Sequence, residues 1–181
     1  MNILLLALCT SLAIAFSYHY SSSCQDTYKV YQRSASNTPQ NSWLLGQYGV
    51  KHYSQHNEEL IIRDFFNDQK NGIFLDVGAS HFSTNSTTFY LEKNLEWEGI
   101  AIDAIDAFKE GYLKNRPKTQ FFSFYVSDKS DQEVDFYVNI RNDRLSSGVK
   151  NLAKRQGKYH EKKIHSITLN DLLDQLNITR V

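Results

Sequence analysis

The stretch GIFLDVGASHFSTNSTTFYLEK, residues 72–93, opens with an apolar run that ends at an aspartate and a glycine. Residues 73–77 show no alternation of apolar and polar side chains, which is typical of a parallel strand covered on both faces. After Asp76 and Gly78 the chain continues with Ser, His, Phe and Thr rather than with further glycines. The stretch therefore predicts a central strand that ends at a candidate binding loop.

The segments around this strand alternate between predicted helices and strands. Ser54 is a plausible N-cap for the first helix, and Pro117 ends the third one because proline cannot continue the hydrogen-bond ladder. The predicted helices are 55–67, 85–95, 105–115, a basic helix after Gly148, and 170–176, and the predicted strands are 73–77, 99–103, 120–127, 133–140 and 164–169. This order predicts an α/β fold with a Rossmann-like, doubly wound parallel sheet.

Composition favours one ordinary globular domain. The chain has 181 residues, of which 41% are hydrophobic and 22% charged, and its 20 basic and 20 acidic residues cancel. A chain with no net charge has no global basic field, so nucleic acid is not an expected partner. The basic stretch 150–163 favours either an anionic partner or, as the simpler interpretation, a solvated surface.

The N-terminus differs from the rest of the chain. Residues 3–16 are almost entirely apolar, a length that matches a signal peptide better than a full membrane span. We expect residues 1–23 to be a signal peptide or an uncleaved signal anchor, with a buried helix as the alternative. A polar stalk, 24–46, and one domain, 47–181, follow. The predicted location is the secretory pathway, either secreted or membrane-anchored with a lumenal domain.

Cysteines and glycosylation sequons add little to this prediction. Cys9 lies in the apolar run, so Cys24 is the only cysteine left after cleavage. A disulfide framework and a cysteine-based zinc site are therefore excluded. The sequons at Asn85 and Asn177 support secretion only weakly, because such short motifs arise often by chance.

Three acids lie at or just beyond the predicted carboxyl ends of strands, where doubly wound sheets bind ligands. They are Asp76, Asp103 and Asp128. Gly78 allows a ligand to approach the backbone closely, and a carboxylate at Asp103 suits ribose hydroxyls. Asp128, with Ser127, would lie beside a base, and Asp76 would orient the loop or contact an amino group. These residues predict a site for a nucleoside-like ligand.

The loop after Gly78 discriminates between such ligands. Dinucleotide sites use G-x-G-x-x-G and nucleoside triphosphate sites use G-x-x-x-x-G-K-[ST], and neither motif occurs here. A nicotinamide enzyme is therefore disfavoured. S-adenosylmethionine carries no phosphate, and its ammonium and sulfonium groups suit an edge rich in acids. It is the cofactor that the sequence favours.

Residues 53–181 resemble an FkbM-type S-adenosylmethionine-dependent methyltransferase domain. The motifs that carry the resemblance are Ser54-Gln55 with Glu58-Glu59, Asp76-Val77-Gly78-Ala79, Ser86-Thr87-Thr88 with Leu91-Glu92, Trp97-Glu98-Gly99-Ile100-Ala101-Ile102-Asp103, Val126-Ser127-Asp128, and Leu145-Ser146-Ser147 with Ile167-Thr168-Leu169. Thr87 stands where the family usually has Asn, and Ser80 where it often has His or a similar residue. The family also continues into a further strand with an I-D-V-E-G-like motif, which does not occur here.

The resemblance implies a class I methyltransferase fold, shortened at its C-terminus, that methylates a hydroxyl of a glycan or small molecule. It implies cofactor contacts from Gln55, Glu58, Asp76, Gly78, Ala79, Ser80, Ser86, Asp103, Ser127 and Asp128. Because the last strand is missing from the pattern, the alternative is a non-catalytic relative that keeps the binding edge and acts as an interaction domain in the secretory pathway.

A hydroxyl acceptor benefits from a general base, although positioning supplies most of the rate of methyl transfer. His81, just beyond the first strand, is the candidate base, and a loop-packing histidine is the alternative. His52 and His56 are weaker candidates. No cluster of His, Asp and Glu has convincing metal-ligand spacing, so no metal is predicted.

Overall fold

The computed structural model describes residues 3–9, 12–13 and 42–178 of the chain. Its larger sheet has the strand order β2-β1-β3-β4-β5. These strands are β1 (Ile3–Cys9), β2 (Leu12–Ala13), β3 (Ile73–Val77), β4 (Glu98–Asp103) and β5 (Thr119–Ser123). β1, β3, β4 and β5 run parallel, and β2 is antiparallel to β1. The predicted α/β fold with a parallel sheet is confirmed at this level.

A smaller sheet has the order β6-β8-β7 and is mixed. Its strands are β6 (Tyr125–Val126), β7 (Glu133–Asn139) and β8 (Tyr159–Ile167). The single strand predicted for 120–127 is therefore wrong, because it divides between the two sheets. The division falls at Phe124, whose amide donates to the carbonyl oxygen of Asp103 at the end of β4, after which Tyr125 pairs with Ser166 of β8.

Six helices accompany the sheets in the described part of the chain. They are α1 (Ser42–Tyr48), α2 (Glu58–Phe65), α3 (Phe89–Leu95), α4 (Lys109–Asn115), α5 (Lys150–Gln156) and α6 (Leu169–Gln175), with 3-10 turns at Asp106–Phe108 and Asp143–Leu145. As predicted, the third helix ends before Pro117, although its first turn is the 3-10 turn.

Two helices begin later than the sequence predicts. The helix predicted from residue 85 begins at Phe89, because Asn85 has a φ of 58°, a left-handed conformation that interrupts a right-handed helix. The helix predicted from residue 55 begins at Glu58. Ser54 is not its N-cap residue, although the Ser54 hydroxyl still accepts the amide of Glu59 at 3.4 Å.

Helices cover both faces of the parallel sheet. Phe74 of β3 packs with Leu91 and Leu95 of α3 and with Trp97 on one face. Leu75, Ile100 and Ile102 pack with Leu172 of α6 on the other. A third cluster joins Ala101 of β4, Tyr112 of α4, Phe121 of β5 and Ile164 of β8. On α2 the buried apolar residues are Leu60 and Ile62, whereas Phe65, predicted to belong to the apolar stripe, is 71% exposed.

The structure describes only some of the N-terminal residues for which the sequence makes predictions. β1 lies beside β3 with Leu6 in register with Asp76, so the backbone of Ile3–Cys9 is a strand and not the helix considered as an alternative. The signal and anchoring role of residues 1–23 stays a prediction. Within the described residues, no helix has the length and apolar character needed to span a membrane. Most of the predicted stalk lies outside the described residues, and α1, whose Leu44 is fully buried, spans the predicted domain start at residue 47.

Candidate functional site

The parallel strands bring three chain turns to one edge of the larger sheet. Val77 of β3 is in register with Ile102 of β4, and Asp103 of β4 is in register with Ser123 of β5. The residues that follow these strand ends therefore lie side by side. Asp76, Gly78 and Asp103, singled out from the sequence, are all at this edge.

The loop after β3, residues 78–80, is fixed against β4 by its backbone. The amides of Gly78 and Ala79 both donate to the carbonyl oxygen of Ile102, at 2.8 and 3.1 Å. Gly78 has a φ of 76°, which a residue without a Cβ adopts without strain, and Ser80 has a φ of 53°. The side chain of Ala79 lies in the core, so only its backbone is available to a ligand at this edge.

Asp103 organises this loop through its carboxylate. One oxygen accepts the amide of Ser80 at 2.9 Å and the other accepts the amide of Ile105 at 2.9 Å. Burial raises the pKa of Asp103 above its ordinary value, the two backbone amides oppose this shift, and the charge of Asp143 adds to it. The hydroxyl oxygen of Ser80 is buried and has no hydrogen-bond partner in the structure, an uncommon state for a buried polar group.

Asp76 is the second acid of the edge and is almost completely buried. Its carboxylate accepts the hydroxyl of Thr88 at 2.8 Å. Burial raises the pKa of Asp76 to about 6, against the opposing effects of the Thr88 hydrogen bond and the charge of Arg116. Tyr112 lies close by and donates its hydroxyl to the carbonyl of Ala79 at 3.3 Å. Burial and the charge of Asp76 raise the pKa of that phenol.

His81 is placed as a loop-organising residue. Its Nδ1 accepts the backbone amides of Ser83 and Thr84, at 3.2 and 3.0 Å. In the neutral ring this arrangement puts the proton on Nε2. The lone pair that a general base needs is therefore already used by the loop, and Nε2 is a donor in this state.

Ser86 is predicted to contact the cofactor, but its hydroxyl forms a hydrogen bond with the protein backbone. It is buried and accepts the amide of Phe89, the first residue of α3, at 3.2 Å. Thr87 and Thr88 are also buried. Asn85 of the predicted sequon is exposed and forms an isolated parallel bridge with Ser54, which joins this loop to the segment before α2.

The segment before α2 is organised by Glu59, an acid that the sequence does not predict as a site residue. Glu59 is fully buried and accepts the amides of His52 and Tyr53 at 3.0 and 2.9 Å. Glu58, predicted to contact the cofactor, accepts the amide of His56 at 2.7 Å, and Gln55 is exposed. The second acid of the Glu58-Glu59 pair is thus the one that holds the loop.

A polar cleft opens between these two segments. It has a volume of about 260 Å³ and is lined by residues 51–54 and 83–85. The Lys51 ammonium donates to the carbonyl of Ser54, and the Tyr53 ring packs edge-on against Phe89. The cleft combines hydroxyl, amide and aromatic groups within a few residues of the loop after β3.

Ser127 and Asp128 come directly after β6, the first strand of the smaller sheet. The amide of Ser127 donates to the carbonyl of Ile167 in β8, and its hydroxyl donates to Asp128 at 3.1 Å. They follow β6, not β5, because the chain leaves the larger sheet at Phe124. These two residues therefore do not follow a strand of the larger sheet. Their role beside the base of a bound nucleoside stays a prediction.

A buried ion pair behind the loop was not foreseen from the sequence. Arg116, which follows α4, is paired with Glu92 of α3. The guanidinium also donates to the carbonyl oxygens of Phe82 and Thr88, at 3.0 and 3.3 Å, and so holds both ends of the loop 82–88. Glu92 also accepts the hydroxyl of Thr119 and the amide of Lys118. Thr88 and Glu92 occur in the motifs quoted above, but nothing in the sequence shows that Arg116 joins them.

The part of the chain that the structure describes contains no group of three or more His, Cys, Asp or Glu residues arranged to hold a metal ion. Comparison with models of protein families, with curated proteins and with solved structures finds no match for this chain. A functional assignment therefore depends on the residues and the geometry described above.

Proposed function

We propose that the chain binds S-adenosylmethionine at the edge formed by the ends of β3 and β4, and that it transfers the methyl group to a hydroxyl of a glycan or small molecule. The proposal includes the class I methyltransferase arrangement of the sheet. The observation that carries it is the position of two acids, the buried Asp76 and the partly buried Asp103, around a loop whose Ser80 hydroxyl is buried without a partner.

The donor set fits this cofactor. Asp76 offers a carboxylate for the ammonium group, and Asp103 offers carboxylate lone pairs for the ribose hydroxyls. The free hydroxyl of Ser80 is a further donor or acceptor beside them. Residues 76–88 contain no Lys or Arg, which agrees with a ligand that carries no phosphate. Gly78 provides the close backbone approach.

The bound cofactor would supply a methyl group already activated by its positive sulfur. The chain's own residues then have to bind the cofactor and the acceptor, orient them in line and exclude water, because in-line positioning supplies most of the rate. The polar cleft of residues 51–54 and 83–85 suits an acceptor rich in hydroxyl groups, whose rings can also lie against Tyr53. Because Nδ1 of His81 accepts two loop amides, the neutral ring would orient an acceptor through its Nε2 proton and would not take a proton from it.

Calorimetry on the full chain tests the proposal. We expect S-adenosylhomocysteine to bind the wild type with one site, and Asp103→Ala to weaken binding at least tenfold. A loss of one or two charge-assisted hydrogen bonds corresponds to about 1.5–3 kcal/mol each. Asp106→Ala is the matched control, because Asp106 is an exposed acid at the same end of β4 that pairs with Lys162. Absence of binding by folded wild type would refute the proposal.

One observation favours the alternative, a non-catalytic binding domain. The predicted base, His81, uses the lone pair of Nδ1 to hold its own loop. A radiolabelled methyl-transfer assay against a panel of glycans and small hydroxylated compounds separates the two. Binding of the cofactor with no transfer to any acceptor would favour the binding domain.

A further inference from the structure

Behind the candidate cofactor site, three residues form a chain of polar contacts that ends at Asp76. The Thr88 side chain has no exposed surface, donates its hydroxyl to Asp76 and receives a hydrogen bond from Arg116 at 3.4 Å. Arg116 is in turn paired with Glu92. The hydroxyl proton of Thr88 is therefore directed at Asp76, because Arg116 can only donate.

We propose that Thr88 is a positioning residue of the candidate cofactor site, whose hydroxyl, oriented by Arg116, holds the Asp76 carboxylate in its ionised form and in a fixed direction. The expected effect of Thr88 on cofactor binding rests on the proposed function. The contact between Thr88 and Asp76 itself does not depend on any ligand.

The charges around Asp76 make this contact important. β4 contributes Asp103, which disfavours a second negative charge, and α4 contributes the Tyr112 phenol. Arg116 favours ionisation, but Glu92 of α3 balances its charge. On β1 the residue in register is Leu6. Burial, the largest effect, opposes ionisation of Asp76. The hydrogen bond from the Thr88 hydroxyl is the largest of the effects that favour the ionised form.

The consequence for binding follows from the balance of these effects. The pKa of Asp76 is raised to about 6, so most of the carboxyl is ionised at pH 7. A hydrogen bond to a charged group stabilises it enough to lower a pKa by about 1–2. Without that bond, about half to one tenth of Asp76 would be ionised at pH 7. An ammonium group would then bind about two- to tenfold more weakly at that pH.

The test compares Thr88→Val, which keeps the shape and removes the hydroxyl, with Thr88→Ser, which keeps the hydroxyl. Carbon-13 NMR of the aspartate carboxyls in the full chain, with Asp76→Asn to assign the signal, gives the pKa of Asp76 without any ligand. We expect that pKa to rise by about 1–2 in Thr88→Val and to stay near the wild-type value in Thr88→Ser. An equal pKa in wild type and Thr88→Val overturns the inference.

Binding of S-adenosylhomocysteine between pH 6 and 8.5 provides the second measurement. We expect the Thr88→Val protein to bind about two- to tenfold more weakly at pH 7 and to approach wild type as the pH rises. A merely structural role would lower affinity equally at every pH, and that result overturns the inference. If wild type does not bind while the pKa behaves as expected, the proposed function fails and the Thr88–Asp76 contact stands.

A third measurement uses wild-type protein only, in case the Thr88→Val protein does not fold. The chemical shift of the Thr88 methyl group should titrate with a midpoint near the pKa of Asp76, about 6. It should not titrate over that range in Asp76→Asn. A Thr88 signal that ignores the ionisation of Asp76 overturns the inference independently of the variants.

Discussion

Arg116 and Glu92 form an ion pair in the interior of the protein, with side chains that are 0% and 6% exposed. Such a pair is costly to bury and costly to break, since removing one partner leaves an uncompensated charge. Here it also fixes the loop 82–88, because the same guanidinium binds the carbonyl groups of Phe82 and Thr88. The pair therefore links the stability of the fold to the shape of the candidate site.

The first prediction concerns this pair. Glu92→Gln removes the charge opposite Arg116, and we expect the free energy of unfolding to fall by about 3–5 kcal/mol in urea titrations at pH 7. Glu96→Gln is the matched control, because Glu96 pairs with Lys70 at 3.8 Å on the surface, with side chains 56% and 62% exposed. Its effect should stay below about 1 kcal/mol. Similar small losses for both variants would contradict the prediction.

The second prediction concerns the pH dependence of stability. The pKa of Asp76 is raised from 3.8 to about 6 in the folded protein, so the folded state binds more protons than the unfolded state between these values. Stability from this group is therefore full below about pH 4 and declines as the pH rises to about 6. The loss of stability corresponds to about 3 kcal/mol, because the folded and unfolded pKa values differ by about 2 and a pKa difference of one corresponds to 1.36 kcal/mol.

Asp76→Asn isolates this effect, because the amide oxygen still accepts the Thr88 hydroxyl and cannot ionise. Relative to this variant, wild type should lose about 3 kcal/mol of unfolding free energy between pH 3 and pH 7. Asp76→Asn should also fail to bind S-adenosylhomocysteine under the proposed function. Parallel stability profiles for the two proteins would show that Asp76 titrates normally.

The sequence predicted the parts of the fold that local patterns determine. Apolar runs without alternation located β3 and β4, and Pro117 located the end of α4. Convergence of Asp76, Gly78 and Asp103 followed from the parallel order of these strands. Their roles in binding stay predictions.

Tertiary contacts account for what the sequence did not show. Glu92 and Arg116 are 24 residues apart, and their pairing depends on how α3 packs beside the turn after α4. The second sheet begins at Tyr125 because Ser166, 41 positions later, offers a backbone partner there. The sequence alone does not distinguish Glu59 from Glu58, since only the fold shows which of the two acids faces the backbone amides of His52 and Tyr53.

The third prediction concerns His81. If the main role of Nδ1 is to accept the loop amides of Ser83 and Thr84, Asn is a suitable replacement for His81, because its side-chain oxygen can accept the same amides. We expect His81→Asn to bind S-adenosylhomocysteine within threefold of wild type, and His81→Ala to lose about 1 kcal/mol of stability and to bind more weakly. Calorimetry and urea unfolding measure both. Equal effects of Asn and Ala would show that the acceptor function of Nδ1 is not what matters.

The fourth prediction concerns the packing of the loop 82–88 on α4. A Cβ placed on Gly111 would lie 2.7 Å from Cδ1 of Phe82, closer than van der Waals contact allows. Gly111→Ala should therefore displace Phe82 and lower the free energy of unfolding by about 1–3 kcal/mol, despite the better helix propensity of Ala. Because Arg116 binds the Phe82 carbonyl, the displacement should also weaken S-adenosylhomocysteine binding.

Gly46→Ala is the matched control for this substitution. Gly46 also lies in a helix, α1, and a Cβ there has no neighbour within 4 Å. Its replacement should raise the free energy of unfolding by up to about 1 kcal/mol and leave binding unchanged. Opposite signs for the two glycine variants in urea titrations would support the close approach of Phe82 to α4. A stabilising effect of Gly111→Ala would instead mean that Phe82 moves freely and that the loop is not held through it.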